Sequence, residues 1–388
     1  MRAIDLPQGW TWEGVLGRLE RHADLEGSAR EQGALVRKRV IRTAAQLLRL
    51  VLAYVLSGLS LRSTAAWAET AGQASLSDVA LLKRLKRCGP WLAELVGTLS
   101  AAVNPEASCG DGGRRIVAVD ATAICSPGGK HKAYRLLHTV YDVGAQRFCS
   151  TQVTDRSVAE RLDVGSIEKD EIRLGDKIYG RYRDLAAVAA AGADYVVRLS
   201  ANALKLKTAD GSPLKRAAIC KCAERDGIQD VAVQICDNQG GAPLNARLIV
   251  LPLPPAQAEA SRRLMRKNAR KAGYTPSPQA LVTAGCIMLI TSLAAAEWPA
   301  RRVLDLYRRR WQVELAFKRL KSLLHLERLR LFDAELVSAW IHAVLLVALL
   351  IELERPSAST QAPDSPRSAY RHDQPFHCGA SSPSSLGA

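Results

Sequence analysis

The 388-residue chain has nine cysteines but lacks any spacing of them that would hold a zinc ion or a disulfide framework. They stand at positions 88, 109, 125, 149, 220, 222, 236, 286 and 378, and only Cys220 and Cys222 lie close together, as C-x-C with no second pair at ribbon spacing. This points to reduced, buried thiols in a cytoplasmic protein. The N-terminus, MRAIDLP, lacks the apolar core of a secretory signal. The longest apolar run, 339–353 (AWIHAVLLVALLIEL), is interrupted by His342 and Glu352 and is short for a bilayer, so it reads as a buried helix rather than a span. Acidic residues are the scarce charge, 38 against 54 lysines and arginines. The resulting formal charge of +16 favours a polyanionic partner, nucleic acid before others.

What is present suggests two or three domains, since the length exceeds the usual single core. Residues 28–57 carry apolar side chains at three- and four-residue steps behind a basic start, which predicts an amphipathic helix ended by Gly58. Ser60 caps a short helix to Ala71, Gly72 breaks the chain, and Ser75 or Ser77 caps a third helix, DVALLKRLKRCGPWLAELVGTL. This pair of helices resembles a helix-turn-helix in which Lys83, Arg84, Lys86 and Arg87 face DNA; a plain helical bundle with a basic face fits the same pattern.

From Arg114 the period changes. IVAVD (116–120) is a buried strand delivering Asp120 at its end, followed by an SPGG turn at 126–129. Residues 134–142 and 146–153 read as a hairpin, 155–167 as a helix, 171–176 (EIRLGD) as a second strand ending in an acid, 181–191 as a helix and 194–199 as a third buried strand. That order is an α/β layer architecture and matches an RNase H-like core. Turn signals and short strand-like runs at 231–236 and 245–250 make 200–283 an inserted β-rich subdomain that also carries a basic helix, 259–272. Cys286–Leu293 returns to the core, and Ala300–Leu324 is a long helix with the densest basic cluster in the chain. The organisation expected is therefore a helical domain over 1–105, a core from 114–200 and 284–354, the insertion at 200–283, and a disordered tail over 355–388 that is rich in Ser, Pro, Ala and Gly.

Within the long helix, Tyr307, Arg310, Glu314 and Lys321 form Y-x2-R-x3-E-x6-K, all on one helical face. A lone Glu among cations is ordinarily a solvated ion pair of small consequence. Here two strand-terminal aspartates, Asp120 and Asp176, precede it, and carboxylates gathered at the mouth of a sheet supply the hard oxygens that Mg²⁺ prefers. Asp142, Asp155 and Asp170 compete for the same roles, but none occupies a strand end as well.

These residues resemble the DDE transposases of the insertion-sequence-four type, whose signature is the same Y-R-E-K spacing in a context like YRRRWQVELAFKRLK. The resemblance covers 114–354 and, more weakly, the helices of 57–99. It implies a catalytic triad of Asp120, Asp176 and Glu314 holding two Mg²⁺ ions, with Mn²⁺ as a substitute, for cleavage and strand transfer at the ends of an insertion sequence. It also implies that Tyr307, Arg310 and Lys321 hold phosphates. Lys177 either adds a phosphate contact or is a surface lysine. The partners implied are terminal inverted repeats, target DNA and a second copy of the chain in the synaptic complex, with no membrane, in the bacterial cytoplasm at the nucleoid. In the family the chain continues in helical register past the apolar helix, whereas here it turns into RPSASTQAPDSP, a pattern expected of a truncated or frame-altered end. A catalytically inactive relative that only binds DNA, or a DNA-binding regulator, is the alternative; a regulator has no need of three acids at these positions.

Overall fold

The computed structural model describes residues 9–37, 39–103, 113–125, 133–200, 203–323, 329 and 332–354. The SPGG turn and the tail lie outside them. Two compact units emerge. One takes the described residues of Met1–Leu214, Asp230–Ile249 and Met288–Ser357; the other takes those of Lys215–Gln229 and Val250–Ile287.

Six helices open the chain: α1 (Trp12–Glu20), α2 (Leu25–Glu31), α3 (Ala44–Leu56), α4 (Leu61–Thr70), α5 (Asp78–Lys86) and α6 (Cys88–Val103). The single helix expected over 28–57 is two. Gly33, at φ +68°, takes the left-handed conformation that ends α2, and α3 starts afresh where Thr43 accepts a hydrogen bond from Gln46 N. The expected third helix is also two, broken at Arg87. Pro90, third in α6, has no N–H and cannot continue the ladder of α5. Ser60 and Ser77 cap α4 and α5 as expected, and Gly72 at φ +64° separates them.

The strands are β1 (Ile116–Cys125), β2 (Ala133–Asp142), β3 (Arg147–Asp155), β4 (Ile172–Gly175), β5 (Asp194–Arg198), β6 (Lys205–Lys207), β7 (Gln229–Cys236), β8 (Leu244–Pro252) and β9 (Cys286–Thr291). They form one mixed sheet in the order β3-β2-β1-β4-β5-β9-β8-β7-β6. β1, β4 and β5 run parallel, while the β1–β2–β3 meander and the β5–β9 pair are antiparallel. The strands expected in the insertion are present, but they extend this sheet at its far edge. The remaining helices are α7 (Tyr182–Ala190), α8 (Arg216–Asp226), α9 (Pro255–Lys271), α10 (Pro278–Thr283), α11 (Ala300–Arg308), α12 (Trp311–Leu323) and α13 (Ala334–Leu353). Of these, α8 carried no clear sequence signal.

The helix expected over 155–167 does not form. The guanidinium of Arg173, fully buried on β4, donates to the carbonyls of Leu162, Val164 and Ser166, which therefore need no helical N–H partners. Glu171 closes the arrangement with a 2.6 Å bond to Arg173 Nε.

The apolar run is the core helix α13, packed against α6, α3 and α5. It is long and apolar enough to cross a membrane, yet 78% of its most apolar stretch is buried inside the fold, which accounts for its composition. Its one buried acid, Glu352, accepts a hydrogen bond from Phe148 N on the edge strand β3.

Candidate active site

The site begins with strand register. β1 and β4 pair in parallel as Ile116 with Ile172, Val117 with Arg173 and Ala118 with Leu174. The same offset carried two residues further sets Asp120 level with Asp176. β1 does not stop at Asp120, as expected from the sequence, but continues to Cys125 because β2 keeps pairing with it on the other side. On the β4 side the ladder ends at Ala118, so Asp120 still lies where the parallel pair opens. Asp176 directly follows β4 and starts a 3-10 helix, Lys177–Tyr179, without capping it through its side chain. Gly175 makes that turn possible: a Cβ there would meet Leu162 Cδ1 at 2.9 Å and Tyr179 Cβ at 3.0 Å.

Glu314 arrives from α12, which packs on β1, while α11 packs on β5. The single helix expected over 300–324 is pinched between them. Arg310 N bonds to Tyr307 O and Val313 N to Arg310 O, both three-residue steps that tighten the turn. The motif is thus divided between two helices, yet Arg310 still meets Tyr307 three residues before it and Glu314 four residues after it. Tyr307 lies one residue before the end of α11, Arg310 sits in the break, and Glu314 and Lys321 ride on α12 two turns apart.

The break aims Arg310 at the acids. Its Nη1 donates to Asp120 Oδ2 at 3.3 Å and its Nη2 to Glu314 Oε1 at 2.5 Å. The other Asp120 oxygen accepts from Ala121 N at 2.9 Å. Burial pushes the Asp120 carboxyl up to about 7, and the charges of Glu160 and Asp176 add to this against the opposing pull of Arg310 and of the Ala121 amide. Burial pulls Arg310 down, but the charges of Tyr307, Asp120, Asp176 and Glu314 leave it raised overall.

Glu160 is the acid that sequence reasoning missed. It lies in the stretch expected to be helical, at no strand end, so nothing in the pattern marked it. Tyr179, buried just after Asp176, donates its hydroxyl to Glu160 Oε2 at 3.1 Å. Burial raises the Glu160 carboxyl, with the charge of Asp176 contributing.

The other expected contacts divide. Tyr307 is buried, its ring centre 5.9 Å from the Arg310 guanidinium carbon. Lys321 is half-buried, while Lys177, Lys83 and Arg87 are exposed. Arg84 donates to Arg37 O at 3.4 Å. Lys86 is engaged elsewhere, with Asp333 at 2.7 Å and Glu335 at 3.2 Å. Two of the competing acids have structural partners, Asp142 with Arg115 at 3.2 Å and Asp155 with Arg135, while at Asp170 it is the backbone carbonyl that accepts from Arg114, at 2.8 Å.

The Transposase DDE domain family matches residues 111–350, a span that contains Asp120, Asp176, Arg310 and Glu314. This chain belongs to the DDE transposase family. It is 42% identical over 347 residues to the transposase for insertion sequence element IS421 of Escherichia coli, covering 88% of this chain and 93% of the relative. The InsL protein of insertion sequence element IS186A, from Escherichia coli strain K12, matches at 42% over 346 residues with the same coverage. A transposase for insertion sequence element IS231F of Bacillus thuringiensis subsp. israelensis is 26% identical over 232 residues, 54% of this chain and 48% of that one. The chain is accordingly a DNA transposase, an enzyme of a family that works with divalent metal ions.

For such an ion the donor chemistry of this transposase fits: hard carboxylate oxygens, with Asp120 half-buried and its carboxyl raised chiefly by desolvation. The arrangement is not yet a cage. Among the described residues no three acids, imidazoles or thiols converge as a cation site requires. Arg310 instead bridges two of the acids.

Proposed function

We propose that this transposase is of the insertion-sequence-four type and cuts and rejoins DNA at the ends of its element with Asp120, Asp176 and Glu314 as the catalytic triad. The observation that carries the assignment is the register of β1 on β4, which sets Asp120 level with Asp176, together with the Arg310 bridge from Asp120 to Glu314. The α/β sheet with its flanking helices serves as an RNase H-like core in this reading. Asp120, Asp176 and Glu314 would hold two Mg²⁺ ions, or Mn²⁺ as a substitute, whose chemistry would be to activate the attacking water or 3′-hydroxyl and to stabilise the leaving oxygen. Tyr307, Arg310, Lys321 and Lys177 position the phosphates of the transposon end.

The helices α1–α6 recognise terminal inverted repeats, with α4 and α5 as a helix-turn-helix pair that presents Lys83, Arg84 and Arg87. Two copies bring two ends together, and the protein works at the bacterial nucleoid.

The deciding experiment is cleavage of a labelled duplex carrying the element's terminal repeat, with and without Mg²⁺ or Mn²⁺, for the wild type and Asp120→Asn. Metal-dependent nicking at the repeat boundary that vanishes in the variant supports the reading. Tight binding with no cleavage by the wild type replaces it with that of an inactive, DNA-binding relative.

A further inference from the structure

The acids on β1 and α12 are joined by a cation of the protein's own. Arg310 reaches Asp120 with one guanidinium nitrogen and Glu314 with the other, its side chain only 14% exposed. It sits in the 309–310 break between α11 and α12, four residues before Glu314. A guanidinium keeps its charge at any pH a protein survives and presents its donors as a rigid fork. It can leave only by exchanging partners.

We propose that Arg310 is a resident cation between Asp120 and Glu314 and sets the threshold for divalent metal entry: an ion must take both carboxylates away from it. A DNA phosphate offers Arg310 a replacement partner, so DNA and metal binding are coupled, and coupling of this kind is reciprocal. The proposal rests on Asp120 and Glu314 being metal-holding residues.

The test is Mn²⁺ binding to the full-length, DNA-free protein, followed by the electron paramagnetic resonance signal of free Mn²⁺. Arg310→Ala is expected to bind Mn²⁺ more tightly than the wild type by between about 5- and 150-fold, the range for linked sites. Arg310→Gln, uncharged but close in length, is expected to do the same, which separates lost charge from lost packing. Unchanged or weaker binding in both variants, or no measurable binding by either, overturns the proposal. Asp120→Asn reads the underlying assignment separately. If it binds Mn²⁺ as well as the wild type, Asp120 is not a metal ligand and both readings fall; if it loses binding while the Arg310 variants are unchanged, only the resident-cation proposal falls.

Discussion

Arg310 and Asp120, 190 positions apart in the chain, meet through a 3.3 Å ion pair at the point where the parallel pairing of β1 and β4 ends. The contact links the turn between α11 and α12 to β1, where the parallel part of the sheet begins.

Replacing any one acid of the proposed triad removes one member of an interdependent set. Asp120→Asn, Asp176→Asn and Glu314→Gln should each lower cleavage on the order of 10⁴-fold or more, the scale at which such sets fail. Binding to the terminal repeat, followed by gel shift, should persist. Loss of cleavage and binding together would indicate a folding defect instead.

The carboxyl of Asp120, held up to about 7, gives the metal-free protein a pH-dependent stability. Between its ordinary value near 4 and about 7, the folded state holds a proton on Asp120 that the unfolded chain has released. The folded state therefore loses ground as pH rises through that window, and the effect levels off above it. Thermal melts of metal-free protein from pH 4.5 to 8 should show this decline, reduced in Asp120→Asn, which carries no titratable group there. A decline of equal size in the variant would assign it to other groups.

Glu160 acts at one remove, through Tyr179 and the turn that presents Asp176. Glu160→Gln and Tyr179→Phe should each reduce cleavage by about 10- to 100-fold, as is typical for groups that orient a metal ligand. The double variant should fall no further than the worse single one, because both break the same link. Fully additive losses would mean that the two residues act independently.

Much of this arrangement was legible in the sequence, and the failures share a cause. Acids closing short β-branched runs, hairpin turns and serine caps are local signals, and Asp176, Ser60 and Ser77 follow from them, as does Asp120 although its strand runs on to Cys125. The errors concern side chains that serve distant backbone or distant charges. The stretch 155–167 has helical periodicity, but Arg173 captures its carbonyls from a strand. Residues 300–324 look like one helix, but Arg310 turns toward an acid on β1. Periodicity carries no information about a partner 190 residues away. Glu160 was missed for the same reason, since Tyr179 defines its place.

Arg173 also supports a stability prediction. It forms a fully buried pair with Glu171 and holds three loop carbonyls, so Arg173→Met would leave Glu171 as a buried charge with its nearest cation gone. Removing one partner of such a pair costs about 3–5 kcal/mol. Urea unfolding should show a loss of that size, with faster proteolysis in 156–167. A loss below about 1 kcal/mol would mean that Arg115, 4.0 Å from Glu171, takes over as its counter-ion.

The basic face of α5 separates a structural cation from those free to meet DNA. Lys86 is tied to Asp333 and Glu335 at the start of α13, whereas Lys83 on the same helix and Arg87 just past its end are exposed. Lys83→Ala and Arg87→Ala should weaken binding to the terminal repeat and each reduce the salt slope by about 1, the signature of a lost phosphate contact. Lys86→Ala should leave that slope unchanged, because its charge is already neutralised within the fold. An equal change in slope for all three would show that Lys86 exchanges Asp333 for phosphate when DNA arrives; no change in any would remove α5 from the DNA interface and shift end recognition to other helices.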